Sequence, residues 1–332
     1  MLCLRYVSGE EPPVKCILKC GWQVVYVSVF GHRYFKKGYQ LKMKINTPSM
    51  TAELGAMMRT VAVYFNETRS VMEDRFAAVF CGTRVIPAFC VNMLILLIDR
   101  KLKYLPFEMI RVGVLCSLVR HRFFEDTVKK LLQGSDAVFF ILGAGYDTKS
   151  LRWQPDRIPI IELDHPATQA RKRSILLANK LHTPDTSYVS CDLAHESLFM
   201  HVDKKVLMAH KRLVVMAEGL LSYFTKERIG EIFDELSNSS SEVYVVFDYR
   251  HNAESSSKTA KKWFSNFRKK GEQYLGMLDK KEMDGILEKY GYSTLEAIDL
   301  VTLTKRYGFD HGFKDLQNVS EVRIVTRNNN PE

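Results

Sequence analysis

Residues 137–148 read AVFFILGAGYDT: six apolar residues from Ala137 to Leu142, then Gly143, Ala144, Gly145, Tyr146, Asp147 and Thr148. An unbroken run of this length, rich in β-branched and aromatic residues, is what a parallel strand covered on both faces requires. Glycines directly after it allow a tight turn into a helix and a close approach of the backbone to a ligand. Taken alone, the two glycines serve a tight turn that binds nothing equally well. The place of a third glycine in the GxGxxG pattern is held by Thr148, which speaks against a pyrophosphate-cradling dinucleotide site.

Outward from this stretch the same texture repeats. Residues 158–163 (IPIIEL), 187–190, 212–217 (RLVVMA) and 242–248 (EVYVVFD) read as further buried parallel strands, and Glu321 to Thr326 as a last strand. Helical stretches separate them: Pro166 to Leu181, with proline near the first helical position, and Thr225 to Leu236, with Thr225 as N-cap. Alternation of this kind predicts an α/β fold with a doubly wound sheet. Before the sheet, residues 43–134 form a helical preface. An apolar stripe through Leu54, Met57, Met58 and Val61 follows Pro48-Ser49, and a long helix runs from about Pro106 to Leu132. Lys258 to Tyr290 reads as a basic helical insertion within the sheet core, residues 135–332. Residues 1–42 show no sustained helical or strand period and are expected to be a poorly ordered or appended segment, with Met43 a possible start.

The formal charge of +10 is unevenly spread. Seven Lys and Arg against Glu10 and Glu11 give residues 1–42 a charge of +5, so the other 290 residues carry the remaining +5. That is too little, on too large a body, for a polyanion partner, and nucleic acid is not expected. The seven cysteines are scattered, with no CxxC pair. They predict a reducing, cytoplasmic setting and no metal site. The most apolar segment, Val85 to Ile98, contains Pro87 and Asn92 and is too short to span a bilayer, so no membrane role is expected.

In a doubly wound sheet, residues just past the carboxyl ends of the strands share one crevice. Asp164 stands twenty-one residues beyond Gly143, and with Glu162 forms an acidic pair at the end of the second strand. There a carboxylate can accept hydrogen bonds from both ribose hydroxyls. Cys191-Asp192-Leu193 follows the third strand, where Asp192 can meet the polar edge of an adenine and Leu193 its face. A turn-initiating aspartate is the competing reading. Glu218, in 218–223 (EGLLSY), ends the strand RLVVMA at the same edge. Arg171-Lys172-Arg173 reads as a solvated helix face.

Together the motifs LGAGYDT, IELDHPATQARKR, VSCDL and AEGLLSYF, with 51–53 (TAE), Arg59 and 119–126 (VRHRFFED) in the preface, resemble the leucine carboxyl methyltransferase family of class I S-adenosylmethionine-dependent enzymes, closest to its bacterial-type members, over about residues 48–326. The resemblance implies a Rossmann-like, mostly parallel seven-stranded sheet and S-adenosyl-L-methionine as cofactor. It implies that Gly143 and Gly145 pass the methionine portion, Asp164 holds the ribose, Asp192 and Leu193 the adenine, and that Glu218 lines the methionine end. Arg120 or Arg122 would pair with the cofactor carboxylate. Being two apart on a helix, only one can face it, and Arg120 is favoured because it lies on the side of Cys116, Phe123 and Phe124. Tyr223 and His165 sit near the crevice and could orient or deprotonate an acceptor.

The implied function is methyl transfer, with O-methylation of a carboxylate or hydroxyl on a small molecule or peptide terminus. Two other classes stand beside it: a catalytically silent cofactor-binding or interaction protein, and a nicotinamide-dependent oxidoreductase, against which the absent third glycine argues. The motifs specify neither the acceptor nor the oligomeric state.

Overall fold

A computed structural model describes residues 14–20, 23–29, 48–63, 66–81, 108–153, 158–251, 274–309 and 319–328. Seven strands form the main sheet: β3 (Ala137–Leu142), β4 (Ile160–Asp164), β5 (Thr186–Ser190), β6 (Arg212–Ala217), β7 (Glu242–Arg250), β8 (Ser293–Asp299) and β9 (Ser320–Asn328). Their order is β5-β4-β3-β6-β7-β9-β8. The five from β5 to β7 are parallel, and β9 is antiparallel to both its neighbours. The chain winds outward from β3 through β4 to β5, then returns to place β6 on the other side of β3. The carboxyl ends of β3 and β6 therefore flank the topological switch point, where such sheets bind ligands.

Alternate side chains of the central strands build two cores. Phe139, Ile141, Val214, Met216 and Val246 face helix α2 (Glu108–Leu132), meeting Leu115, Val119, Phe123, Phe124 and Val128. Val138, Phe140, Leu142, Leu213, Val215, Val245 and Phe247 face the other way. There they meet Ile229, Ile232 and Phe233 of α4 (Lys226–Ser237) and Met283 and Leu287 of α5 (Lys280–Lys289). Two independent dry layers on one sheet fix strand register firmly, because a one-residue slip would exchange them.

Local chemistry sets the helix starts. Ser49 caps α1 (Met50–Ala62) by accepting from Ala52 N at 3.1 Å. Pro166 opens α3 (Pro166–Ala178), Thr225 caps α4 by accepting from Arg228 N at 3.2 Å, and Asp279 and Glu282 form a capping box on α5.

The structure departs from the sequence reading in several places. β4 begins at Ile160 rather than Ile158, since Pro159 has no N–H to give the ladder. Of the basic insertion, the described helix is Lys280–Lys289; residues 252–273, and the apolar stretch 85–98, lie outside the described residues. β8 and the short α6 (Leu300–Arg306) had no counterpart in that reading. Within residues 1–42, where no strand period was read, β1 (Val14–Cys20) and β2 (Gln23–Val29) pair as an antiparallel hairpin with each other. No helix among the described residues is long and apolar enough to cross a membrane.

Candidate active site

The β3 turn lies at the switch-point edge of the sheet, between the carboxyl ends of β4 and β6. Gly143 (φ +62°) and Gly145 (φ +48°) both adopt the left-handed conformation that glycine tolerates. A Cβ on Gly143 would lie 2.5 Å from Leu220 Cδ1, and one on Gly145 would lie 3.2 Å from the Ala52 Cβ of α1. These two places hold no side chain because the covering elements approach the bare backbone.

Asp164 ends β4 beside this turn. Its carboxylate accepts from Gly145 N at 2.5 Å and from His165 N at 2.7 Å. Burial raises its pKa, and the two amide donors only partly offset this. Asp192 opens the turn after β5, accepting from Ala194 N at 3.2 Å and lying 3.0 Å from His195 Nδ1. Its side chain remains about one-third exposed. Leu193 is buried in the core shared with Leu163 and Leu198.

At β6, Glu218 meets the preface. Arg120 Nε donates to Glu218 Oε1 at 3.3 Å, and Arg120 Nη1 to Asp248 Oδ2 at 2.9 Å. His121 Nδ1 is 2.8 Å from Glu218 Oε2, and Lys149 Nζ lies 3.6 Å from the same oxygen and 2.7 Å from Asp147. Asp248 in turn accepts from Gly219 N at 2.5 Å, tying the β6 turn to the end of β7. Burial pushes the Glu218 carboxyl up, but His121, Lys149 and Arg120 overcome it and hold it well below the usual carboxylate range. Burial lowers the His121 pKa, against the opposing pull of the Glu218 carboxylate.

Arg122 points elsewhere. It pairs with Asp126 at 2.8 Å, one turn on along α2, with its side chain 41% exposed. The structure thus brings Gly143, Gly145, Asp164, Glu218 and Arg120 to one sheet edge, and Arg122 is not among them. His165 caps α3, its Nδ1 accepting from Ala167 N at 3.4 Å. The Tyr223 hydroxyl donates to Thr51 Oγ1 at 3.4 Å, and the ring lies 5.4 Å from that of Tyr274.

Four groups here were given no role from the sequence, although three of them stand in the stretches quoted: His121, Lys149, Asp147 and Asp248. Only Asp248 carried a legible signal, being an acid at the carboxyl end of a predicted parallel strand. A second buried network ties the preface to the turn, with Asp74 accepting from Arg59 Nε at 2.9 Å and from Thr148 Oγ1 at 2.6 Å. Lys172, read as solvated surface, is fully buried and paired with Glu162, because α3 lays this position against β4.

His121, Asp147 and Glu218 have the donor types for a metal ion. Lys149 already stands among them as counter-ion, so a dication would meet a cation in place. The wider donor set suits a nucleoside cofactor with an amino-acid tail. Asp164 can accept from a diol, and Arg120, paired with Glu218 and Asp248, is the guanidinium at this edge suited to a carboxylate.

Comparison with known proteins agrees with this geometry. The family model described as leucine carboxyl methyltransferase matches residues 52–237. No curated protein matches the sequence. Among solved structures, magnesium protoporphyrin IX methyltransferase (ChlM) from Synechocystis PCC 6803 with bound SAH is 9% identical, with a TM-score of 0.42 over 64% of this chain and 85% of that one. The pyocyanin biosynthetic protein PhzM is 15% identical, with a TM-score of 0.41 over 68% of this chain and 60% of that one. An O-methyltransferase family protein from Burkholderia thailandensis is 13% identical, also at 0.41, over 68% and 62%. At these scores the likeness adds nothing to what the sheet order shows.

Proposed function

Because the chain belongs to the leucine carboxyl methyltransferase family and is a methyltransferase that uses S-adenosylmethionine, we propose that it methylates a carboxylate oxygen on a small molecule or a peptide terminus. The observation that carries the reading is the convergence of Gly143, Gly145, Asp164 and Glu218 with Arg120 at the carboxyl edge of β3, β4 and β6. In this proposal Asp164 accepts from the ribose hydroxyls, Asp192 and Leu193 meet the adenine, and the bare backbone of Gly143 and Gly145 passes the methionine portion. Glu218 lines its amino end, and Arg120, held by Glu218 and Asp248, faces its carboxylate.

Bound S-adenosylmethionine supplies a methyl group already activated on a sulfonium. The chain's own part is then alignment of the acceptor and exclusion of water rather than covalent catalysis. The choice of a carboxylate over a hydroxyl rests on the basic groups near the crevice. The His165 Nδ1 is engaged in capping α3, and His121 is engaged with Glu218. A hydroxyl acceptor needs a base and a carboxylate does not. Tyr223, whose hydroxyl meets Thr51 Oγ1, orients the acceptor. A reducing, cytoplasmic setting suits the free thiols of Cys81, Cys116 and Cys191.

The test is an assay for S-adenosylhomocysteine formation across small carboxylic acids, phenols and peptide C-termini. Turnover with acids or peptide termini, and not with phenols, supports the proposal. Turnover confined to phenols contradicts the carboxylate assignment.

A further inference from the structure

The loop after β5 brings three metal-binding atoms together beside the core that faces α4. Cys191 Sγ, a carboxylate oxygen of Glu196 and a ring nitrogen of His201 all lie within 4.8 Å of one another. His201 Nε2 is 3.0 Å from Glu196 Oε2. A tetrahedral zinc ion with bonds of ~2.0–2.3 Å keeps its donors roughly 3.3–3.8 Å apart, so side-chain shifts on the order of 1 Å complete the set.

We propose that Cys191, Glu196 and His201 form a binding site for a thiophilic divalent cation of the zinc class, with water in the fourth position. This site does not depend on the acceptor assignment above.

Comparison with the other three-donor cluster supports the choice. At His121, Asp147 and Glu218 the Lys149 ammonium occupies the centre of charge. Near Cys191 the neighbouring cation is Arg228, and its guanidinium is committed elsewhere. Its Nε donates to Leu193 O at 2.7 Å, its Nη2 to Glu196 O at 2.6 Å, and its Nη1 to the Glu231 and Glu235 carboxylates at 2.9 and 3.0 Å. The Glu196 carboxylate is left to the Asp192 N–H, at 2.8 Å, and to His201, which coordinates as the neutral ring. One thiolate, one imidazole and one carboxylate match a borderline-soft ion. Cys191 is fully buried, giving the site a dry wall, while His201 and Glu196 are 32% and 36% exposed and leave an entry path.

Binding must displace the thiol proton: a sulfur–metal bond forms, the S–H bond breaks, and the proton passes to solvent. Because binding releases this proton, metal affinity rises with pH. Occupancy also engages the loop that carries Asp192, through the Glu196 carboxylate that receives the Asp192 amide. The spacing Cys-x4-Glu-x4-His contains no cysteine pair, the usual sequence mark of a zinc site.

The test is titration of the full chain with Co2+, followed by absorption. The expected result is a thiolate-to-cobalt charge-transfer band that saturates near one equivalent, is displaced by Zn2+ and is lost in Cys191→Ser. His201→Ala should weaken binding by about tenfold or more. If Cys191→Ser does not fold, His201→Ala and Glu196→Gln, both changed at partly exposed side chains, carry the test. No charge-transfer band, a band undiminished in folded Cys191→Ser, or unchanged affinity in both His201→Ala and Glu196→Gln overturns the proposal.

Discussion

Arg120 and Arg122 are two positions apart on α2 and end in different surroundings, one between the Glu218 and Asp248 carboxylates and the other on a half-buried Asp126 and the Val71 carbonyl. Replacing each with methionine keeps the stem and removes the charge. Arg120→Met should weaken S-adenosylmethionine binding by about 1–3 kcal/mol, the range for hydrogen bonds to charged groups. Arg122→Met should leave it unchanged and lower stability by about 1 kcal/mol, since it loses the half-buried i,i+4 pair and the hydrogen bond to Val71 O at 3.1 Å. Equal and negligible effects in calorimetric titration would move the cofactor carboxylate to other donors, such as backbone amides near Gly145. Asp164→Ala should likewise cost about 1–3 kcal/mol of cofactor affinity in a folded protein, and unchanged affinity would remove Asp164 from the site. Residues of this kind were legible because a strand followed by glycine or acid is a local pattern. His121 and Lys149 were not, because their partner Glu218 lies 97 and 69 positions away and only the fold brings them together.

Among the elements, α2 shows how charge is built into the preface. Its Glu125 accepts from Lys129 Nζ at 2.7 Å and forms an ion pair with Arg152 at 2.7 Å. Burial raises the Glu125 carboxyl, but Arg152 and Lys129 outweigh it and bring it down to about 2. A folded pKa below the unfolded one contributes stability above about pH 4.5 that is lost as pH falls toward 2. From the size of the shift this is of order 2–3 kcal/mol. Glu218, Asp147 and Asp74 are shifted in the same direction, while burial raises Asp164 and Glu162 and so offsets part of the loss in acid. Thermal melting from pH 7 to pH 2 should therefore show a steep loss below about pH 5, and Glu125→Gln should be less stable at neutrality with a shallower loss in acid. Parallel curves for the two proteins would show that Glu125 gains nothing from its partners. The strands beside these helices were read with little error where both faces are buried, as in β3 and β6. β8 was missed because it is an edge strand with most of its side chains exposed, so its sequence, STLEAID, carries neither an apolar run nor clean alternation.

At the scale of the whole molecule, half of the formal charge lies in residues 1–42, and among the described residues the β1–β2 hairpin pairs only with itself. We propose that this segment is an appendage. A chain starting at Met43 should melt within a few degrees of the full one and bind cofactor equally, whereas a large drop in melting temperature would show that the segment packs on the body. Fold class was legible at this scale because five apolar runs alternate with helices; which strand runs antiparallel was not, since nothing in the sequence of β9 records the direction of its neighbour. The account stands on one crevice, at the switch point between β3 and β6, that accepts S-adenosylmethionine and not a dinucleotide. Calorimetric titration of the full chain with S-adenosylmethionine and, separately, with NAD tests this most directly. One equivalent of S-adenosylmethionine bound and no heat with NAD is the result expected; a folded chain that binds NAD, or that takes up no S-adenosylmethionine, would contradict it.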